Sequence, residues 1–133
     1  RTESSSADSE KAPDGARNGP LDRTVLNSLR DLQMDGAPDI LTRVVDAFLV
    51  SSDPLITALR EAAENDDLQV MQNNDHSLKS SSANVGAMKL SEISKDLELG
   101  CRHGTLADGP GLVAAIEAEF VIVKHALLKE INA

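Results

Sequence analysis

From Val25 to Ile131 the aliphatic residues recur at steps of three and four, and no segment alternates apolar and polar residues for the length of a strand. That spacing lines one side of an α-helix with apolar side chains. A chain made of such stripes must pack them against one another, so the expectation is an all-α fold. The filling is almost entirely aliphatic, since Phe48 and Phe120 are the only aromatic residues. A length of 133 residues suits one domain with a modest core.

The stripes divide at turn signals. Residues 1–20 hold no Val, Ile, Leu, Met or Phe, so they are read as a disordered linker, with the bundle over 21–133. Asp22 can cap a short first helix carrying Val25, Leu26, Leu29 and Leu32 and ending near Asp35-Gly36. Pro38 suits the first turn of a second helix, whose inward positions are Leu41, Val45, Phe48, Ser52, Leu55, Leu59 and Ala62. Pro54 interrupts that run and predicts a kink or a short break, the surviving periodicity favouring a kinked, nearly continuous helix. Asn65-Asp66-Asp67 marks a turn before a third helix over about 68–85, which Gly86 can end in the left-handed conformation. A fourth helix from about Ala87 turns Leu90, Ile93, Leu97 and Cys101 inward and stops near Gly104. Residues 105–111 read as a loop and helix start, before a fifth helix burying Leu112, Ile116, Phe120, Val123, Leu127 and Ile131. The sum is an antiparallel four-helix bundle with an additional short N-terminal helix covering one end.

The third helix carries the chemistry. With Leu78 at zero on a helical wheel, Leu68, Met71, Ser82 and Val85 fall in one arc from about −20° to +80°. Asp75 is the one charged residue in that arc. His76 lands at about 160°, with Gln72, Lys79, Ser80 and Ala83 around it. The helix therefore buries one side and presents an imidazole on the other.

From His76 to Ala87 the order of residues resembles the core motif of the histidine-phosphotransfer (HPt) domains of bacterial hybrid sensor kinases and multistep phosphorelays. The matches are His76, Leu78, Lys79, Ser81, Ser82, Val85 and Gly86, and the ending Asn84-Val85-Gly86-Ala87 is common in that family. Ser80 stands where the family usually has glycine, and Asp75 where a small apolar residue is commoner. The resemblance extends loosely over residues 21–133. It implies an HPt-like bundle and a phosphorelay role, in which His76 reversibly accepts a phosphoryl group from a receiver-domain aspartate and passes it to a response regulator. It further implies that Lys79 stabilises the phosphoryl group. Gln72, Ser80 and Ala83 would form the receiver docking face, with clearance at Ser80. The implied partners are receiver domains of a hybrid kinase or response regulator, with Mg²⁺ held by the receiver and no cofactor on this chain. Beside the resemblance, the lone Cys101 fits a reducing cytoplasm, and an acidic compact bundle with one reactive face suggests a monomer. The lack of a nucleotide-binding glycine pattern predicts a phosphocarrier without kinase apparatus. The chain begins at Arg1 without an initiating methionine, which suggests excision from a longer sensor kinase whose other segments could span a membrane.

Elementary chemistry is compatible with that reading. An imidazole with an ordinary pKa of ~6.5 is largely neutral and nucleophilic at pH 7. Lys79, one turn on at i+3, is near enough to supply positive charge. Each residue also has a plain reading: His76 as an idle surface histidine, Lys79 and Gln72 as solvated polar residues. His103 suits a helix C-terminus, His125 the edge of an apolar face, and Cys101 a buried inert thiol. Asp75 is expected at the edge of the core, paired with a lysine or bonded to a backbone group. Two other functions remain open: a binding-only helical adaptor, and the phosphoacceptor domain of a chemotaxis-type kinase labelled from ATP by a separate domain.

Several classes are excluded. A formal net charge of −9 and the lack of aromatic platforms argue against nucleic acid. The three histidines share no metal-ligand spacing. Asp108-Gly109-Pro110-Gly111 lacks the Gly-Lys-Ser/Thr ending of a phosphate loop. No apolar run reaches the ~20 residues that span a bilayer, so no direct membrane contact is expected.

Overall fold

The computed structural model describes residues 19–33, 39–104 and 108–132. The linker reading of residues 1–18, together with Asp35, Gly36, Pro38 and residues 105–107, lies outside the described residues. Five helices run in order: α1 (Arg23–Asp31), α2 (Ile40–Glu64), α3 (Leu68–Asn84), α4 (Met88–His103) and α5 (Gly109–Asn132). Among the described residues there is no strand. Helices α2 to α5 each pack on their neighbours in sequence, and α2 also packs on α5, which closes a four-helix bundle. Helix α1 rests against α2.

Side-chain caps set three of the starts. Asp22 accepts from the Thr24 N–H, Asp39 from Thr42 and Asp67 from Val70, each satisfying an orphan donor of a first turn. Helix α1 ends at Asp31, earlier than the periodicity predicts, and Leu32 is 60% exposed as its C-cap. The apolar step thus runs past the point where a packing partner exists among the described residues. Helix α2 begins at Ile40, behind its Asp39 cap.

Pro54 lies inside α2 without breaking it. Its missing N–H frees the carbonyl of Val50, and both residues sit on the exposed side, Val50 at 74%. Water can serve that carbonyl, so the proline costs less than it would facing the core. Ser52 just before it is buried, and beyond it the inward positions are Ile56, Leu59, Ala62 and Ala63, with Leu55 only half-buried. Helix α5 starts inside the expected loop, with Asp108 accepting from the Gly111 N–H. Its buried positions include Val113 and Glu119, while Leu112 and Ile131 are partly buried. The core gathers Leu26, Val45, Leu59, Leu78, Leu90, Leu97, Ile116, Val123 and Leu127, all fully buried. Phe48 and Phe120 meet across α2 and α5 with ring centroids 6.0 Å apart.

Two turns close by the same device. After α2, the Asp67 N–H bonds Ala62 O and the Asp66 N–H bonds Ala63 O, with Asp66 at φ +56°. After α3, the Ala87 N–H bonds Ser82 O and the Gly86 N–H bonds Ala83 O, with Gly86 at φ +81°. Both are Schellman closures. The second is also crowded: the Asp22 N–H donates to Gly86 O at 2.7 Å, and a Cβ at Gly86 would lie 3.0 Å from Asp22 O. The entry to α1 is therefore hung on the α3–α4 turn. At its far side, Arg23 and Arg30 both pair with Glu130 near the end of α5.

Gly86→Ala should destabilise the fold by about 2 kcal/mol or more in urea unfolding, since left-handed strain and a clash with Asp22 coincide. Gly104 has φ +66° but open space around it, so Gly104→Ala should cost only about 1 kcal/mol. The Arg23 hydrogen bond, aided by Arg30, holds the Glu130 carboxyl down to about 2. A depressed carboxyl stabilises the fold above its unfolded value and loses that contribution as pH falls. The stability gap between wild type and Glu130→Gln should therefore be full at pH 6 and close between about pH 4.5 and 2.

Candidate functional site

His76 sits in the middle of α3 with its side chain 61% exposed, as the wheel predicts. Its Nδ1 lies 2.7 Å from Glu98 Oε2 on α4. An ionised carboxylate can only accept, so Nδ1 is the protonated nitrogen, and Nε2 keeps its lone pair. Lys79 Nζ donates to the other oxygen, Glu98 Oε1, at 2.5 Å. Arg102, one turn along α4, approaches Glu98 Oε2 at 3.4 Å. Glu98 thus lies beneath an imidazole, an ammonium and a guanidinium, and its side chain is only 4% exposed. The hydrogen bond from Lys79 and, after it, that from His76 hold the Glu98 carboxyl below its ordinary value, against the opposing effect of burial. One further bond, Ser91 Oγ to Lys79 O at 3.1 Å, ties the two helices at the same level.

Sequence reasoning missed Glu98 and Arg102. Glu98 follows Leu97 and precedes Cys101 on α4, so the apolar stripe alone marks it as a boundary position. A signal existed in the turn: His76 lies ten residues before Gly86 and Glu98 twelve after it. In an antiparallel hairpin, residues near-equidistant from the turn face each other, which brings this pair to one level.

The other predicted site residues fall around His76 as the wheel places them. Ser80 is exposed and Gln72 and Ala83 are half-buried. Among the described residues Gln72 makes no hydrogen bond to His76, whose Nδ1 is occupied by Glu98. His103 is exposed in the last turn of α4, and His125 is fully on the exposed side of α5 rather than at its edge. Cys101 is buried, and burial together with the Asp75 carboxyl pushes its thiol up, away from the reactive thiolate. Among the described residues no group of three His, Cys, Asp or Glu could hold a metal ion.

Asp75 corrects an expectation. It is not at the core edge and has no lysine partner, because Lys79 is committed to Glu98. It is fully buried, and neither carboxyl oxygen has a hydrogen bond. The Ser94 hydroxyl and the Glu98 backbone N–H of α4 approach it and favour its charged form, but neither meets hydrogen-bond geometry. Burial, with the Glu98 charge adding to it, pushes the Asp75 carboxyl up to about 8, so the buried group is neutral at pH 7.

The sequence matches the Hpt domain family over residues 43–129. No sequence match was found among curated proteins. Among solved structures, the chain is similar to histidine-containing phosphotransfer protein B (HptB) from Pseudomonas aeruginosa PAO1, at 32% identity and a TM-score of 0.75, covering 84% of this chain and 93% of that one. It is also similar to a histidine-containing phosphotransfer protein from maize, ZmHP2, at 25% identity and a TM-score of 0.70, covering 86% of this chain and 89% of that one. The fold alone is shared with MtHPt2 from Medicago truncatula, at 24% identity and a TM-score of 0.72, covering 87% and 84%. The bundle, the motif around His76 and these matches together establish that the chain belongs to the Hpt domain family.

Proposed function

We propose that this chain relays phosphoryl groups in two-component signalling, with His76 Nε2 as the acceptor. The observation that carries the reading is the 2.7 Å contact between Nδ1 and Glu98, which fixes the imidazole tautomer with Nε2 free on an exposed ring. The Nε2 lone pair attacks phosphorus as the bond to a receiver's aspartate oxygen breaks, and the carboxylate leaves with that bond's electron pair. The ring gains positive charge in the process, and Glu98, already bonded to Nδ1–H, stabilises it. Lys79 and Arg102, both paired with the carboxylate that holds the ring, offset the negative charge of the phosphoryl group. Passing the group to a second receiver is the same step reversed.

The partners in this reading are receiver domains, which supply the Mg²⁺ and dock around Gln72, Ser80 and Ala83. The small residues at 80 and 83 leave room for a close approach in line with Nε2. The chain acts as a monomeric carrier in the cytoplasm, where a lone buried thiol such as Cys101 stays reduced. Among the described residues no helix is long and apolar enough to cross a membrane. A hybrid sensor kinase is the parent chain we favour.

Labelled phosphoryl transfer from a phosphorylated receiver should reach wild type and not His76→Gln. The product should be acid-labile, base-stable and phosphorylated on Nε2 by ³¹P and ¹⁵N NMR. Glu98→Ala should slow transfer by about one to two orders of magnitude, the size usual when an imidazole loses its orienting carboxylate. Lys79→Ala should slow it by about tenfold or more. No transfer from several receivers to a demonstrably folded bundle would overturn the relay reading.

A further inference from the structure

Asp75 is the group that the relay reading leaves unused. It directly precedes His76, is fully buried, and offers two carboxyl oxygens with no hydrogen bond. The charged and titratable groups acting on it are Lys79 from its own helix, at i+4, and Glu98 and Cys101 from α4. Lys79 is bonded to Glu98, which also holds His76 and Arg102. Two carboxyls therefore act on one ammonium, one paired with three side chains and one with no completed hydrogen bond.

We propose that Asp75 is a proton-controlled positioning residue: protonated, it leaves Lys79 at the surface with Glu98 and His76, and ionised, it draws Lys79 inward, away from the phosphoryl position. The physical reason is the cost of a buried, unbonded anion, which is relieved most directly by the nearest cation. Spacing at i and i+4 on one helix lets Asp75 and Lys79 meet without moving backbone. Glu98 would keep His76 and Arg102 as partners when Lys79 leaves it. Burial raises the Asp75 carboxyl into the mildly alkaline range, so the change falls where proteins are otherwise intact. The sign follows: transfer through His76 slows as pH rises.

This inference rests on His76 as the acceptor, and the experiment separates the two. Initial transfer rates would be measured from one phosphorylated receiver to wild type, Asp75→Asn, Lys79→Ala and the double variant, from pH 6.5 to 9.5. Dividing wild type by Asp75→Asn cancels the titrations of the receiver and of His76. That ratio should fall severalfold, toward a tenth, between pH 7 and about pH 9, as the neutral fraction of a group titrating near 8 declines. In the Lys79→Ala background the corresponding ratio should be flat. A flat ratio with Lys79 present, or an equal fall without it, would overturn the proposal while transfer itself continued. Absent transfer at pH 7 would instead overturn the relay reading. A ¹³C titration of the Asp75 carboxyl in the full chain gives an independent readout, and a midpoint near 4 would also sink the proposal. Should Asp75→Asn fail to fold, Asp75→Ala serves as the non-ionising reference.

Discussion

Removing a carboxylate from water costs several kcal/mol unless charge and hydrogen bonds replace the lost hydration. Glu98 meets that condition with His76 and Lys79 from α3 and Arg102 from the next turn of α4. The arrangement therefore exists only if α3 and α4 hold a fixed register. Gly86 sets that register: its left-handed backbone closes α3, and its lack of a Cβ admits the entry to α1. Helix α1 is then held from the other side by the Glu130 pairs. A short helix far from the imidazole thus secures the turn on which the geometry of the imidazole depends.

Glu98 and Asp75 show how one fold gives two neighbouring carboxyls opposite states. Glu98 is shielded by cations and ionised, while Asp75 is enclosed by apolar side chains and α4 and neutral. Burial does most of this, and their proximity adds to it, since two ionised carboxylates at this depth would repel each other. Asp75 keeps its proton chiefly because burial strips the hydration its charged form would need, and the Glu98 charge adds to that.

Much of this was legible in the sequence, and the omissions share a cause. The step of three and four identifies the five helices, the presented face of α3 and the inward positions Leu78, Leu90, Leu97 and Val123, because those follow from helix geometry within one segment. It misplaces the end of α1 and the weight given to Leu32, Leu55 and Leu112, because periodicity continues whether or not a neighbour is present. Glu98 was not legible as a ligand of His76, since its role depends on register between helices. Asp75 was visible as an intruder on the buried arc, yet its neutral state depends on how deeply α4 covers it and on the Glu98 charge that α4 brings near. Family resemblance added a role for His76 that helix geometry alone does not supply.

A carrier differs from a kinase in that it must take up a charged group and release it again, so its site cannot hold either state too firmly. The described geometry fits that need. In the relay proposed for His76, the cations that balance Glu98 at rest also serve the incoming phosphoryl group, so loading the ring redistributes existing partners. Such preorganised charge reduces the reorganisation needed during transfer in either direction. It also explains why Glu98 is buried under its partners. An exposed carboxylate would be screened by water and would compete weakly for Lys79, whereas at 4% exposure it holds both the lysine and the imidazole tautomer ready.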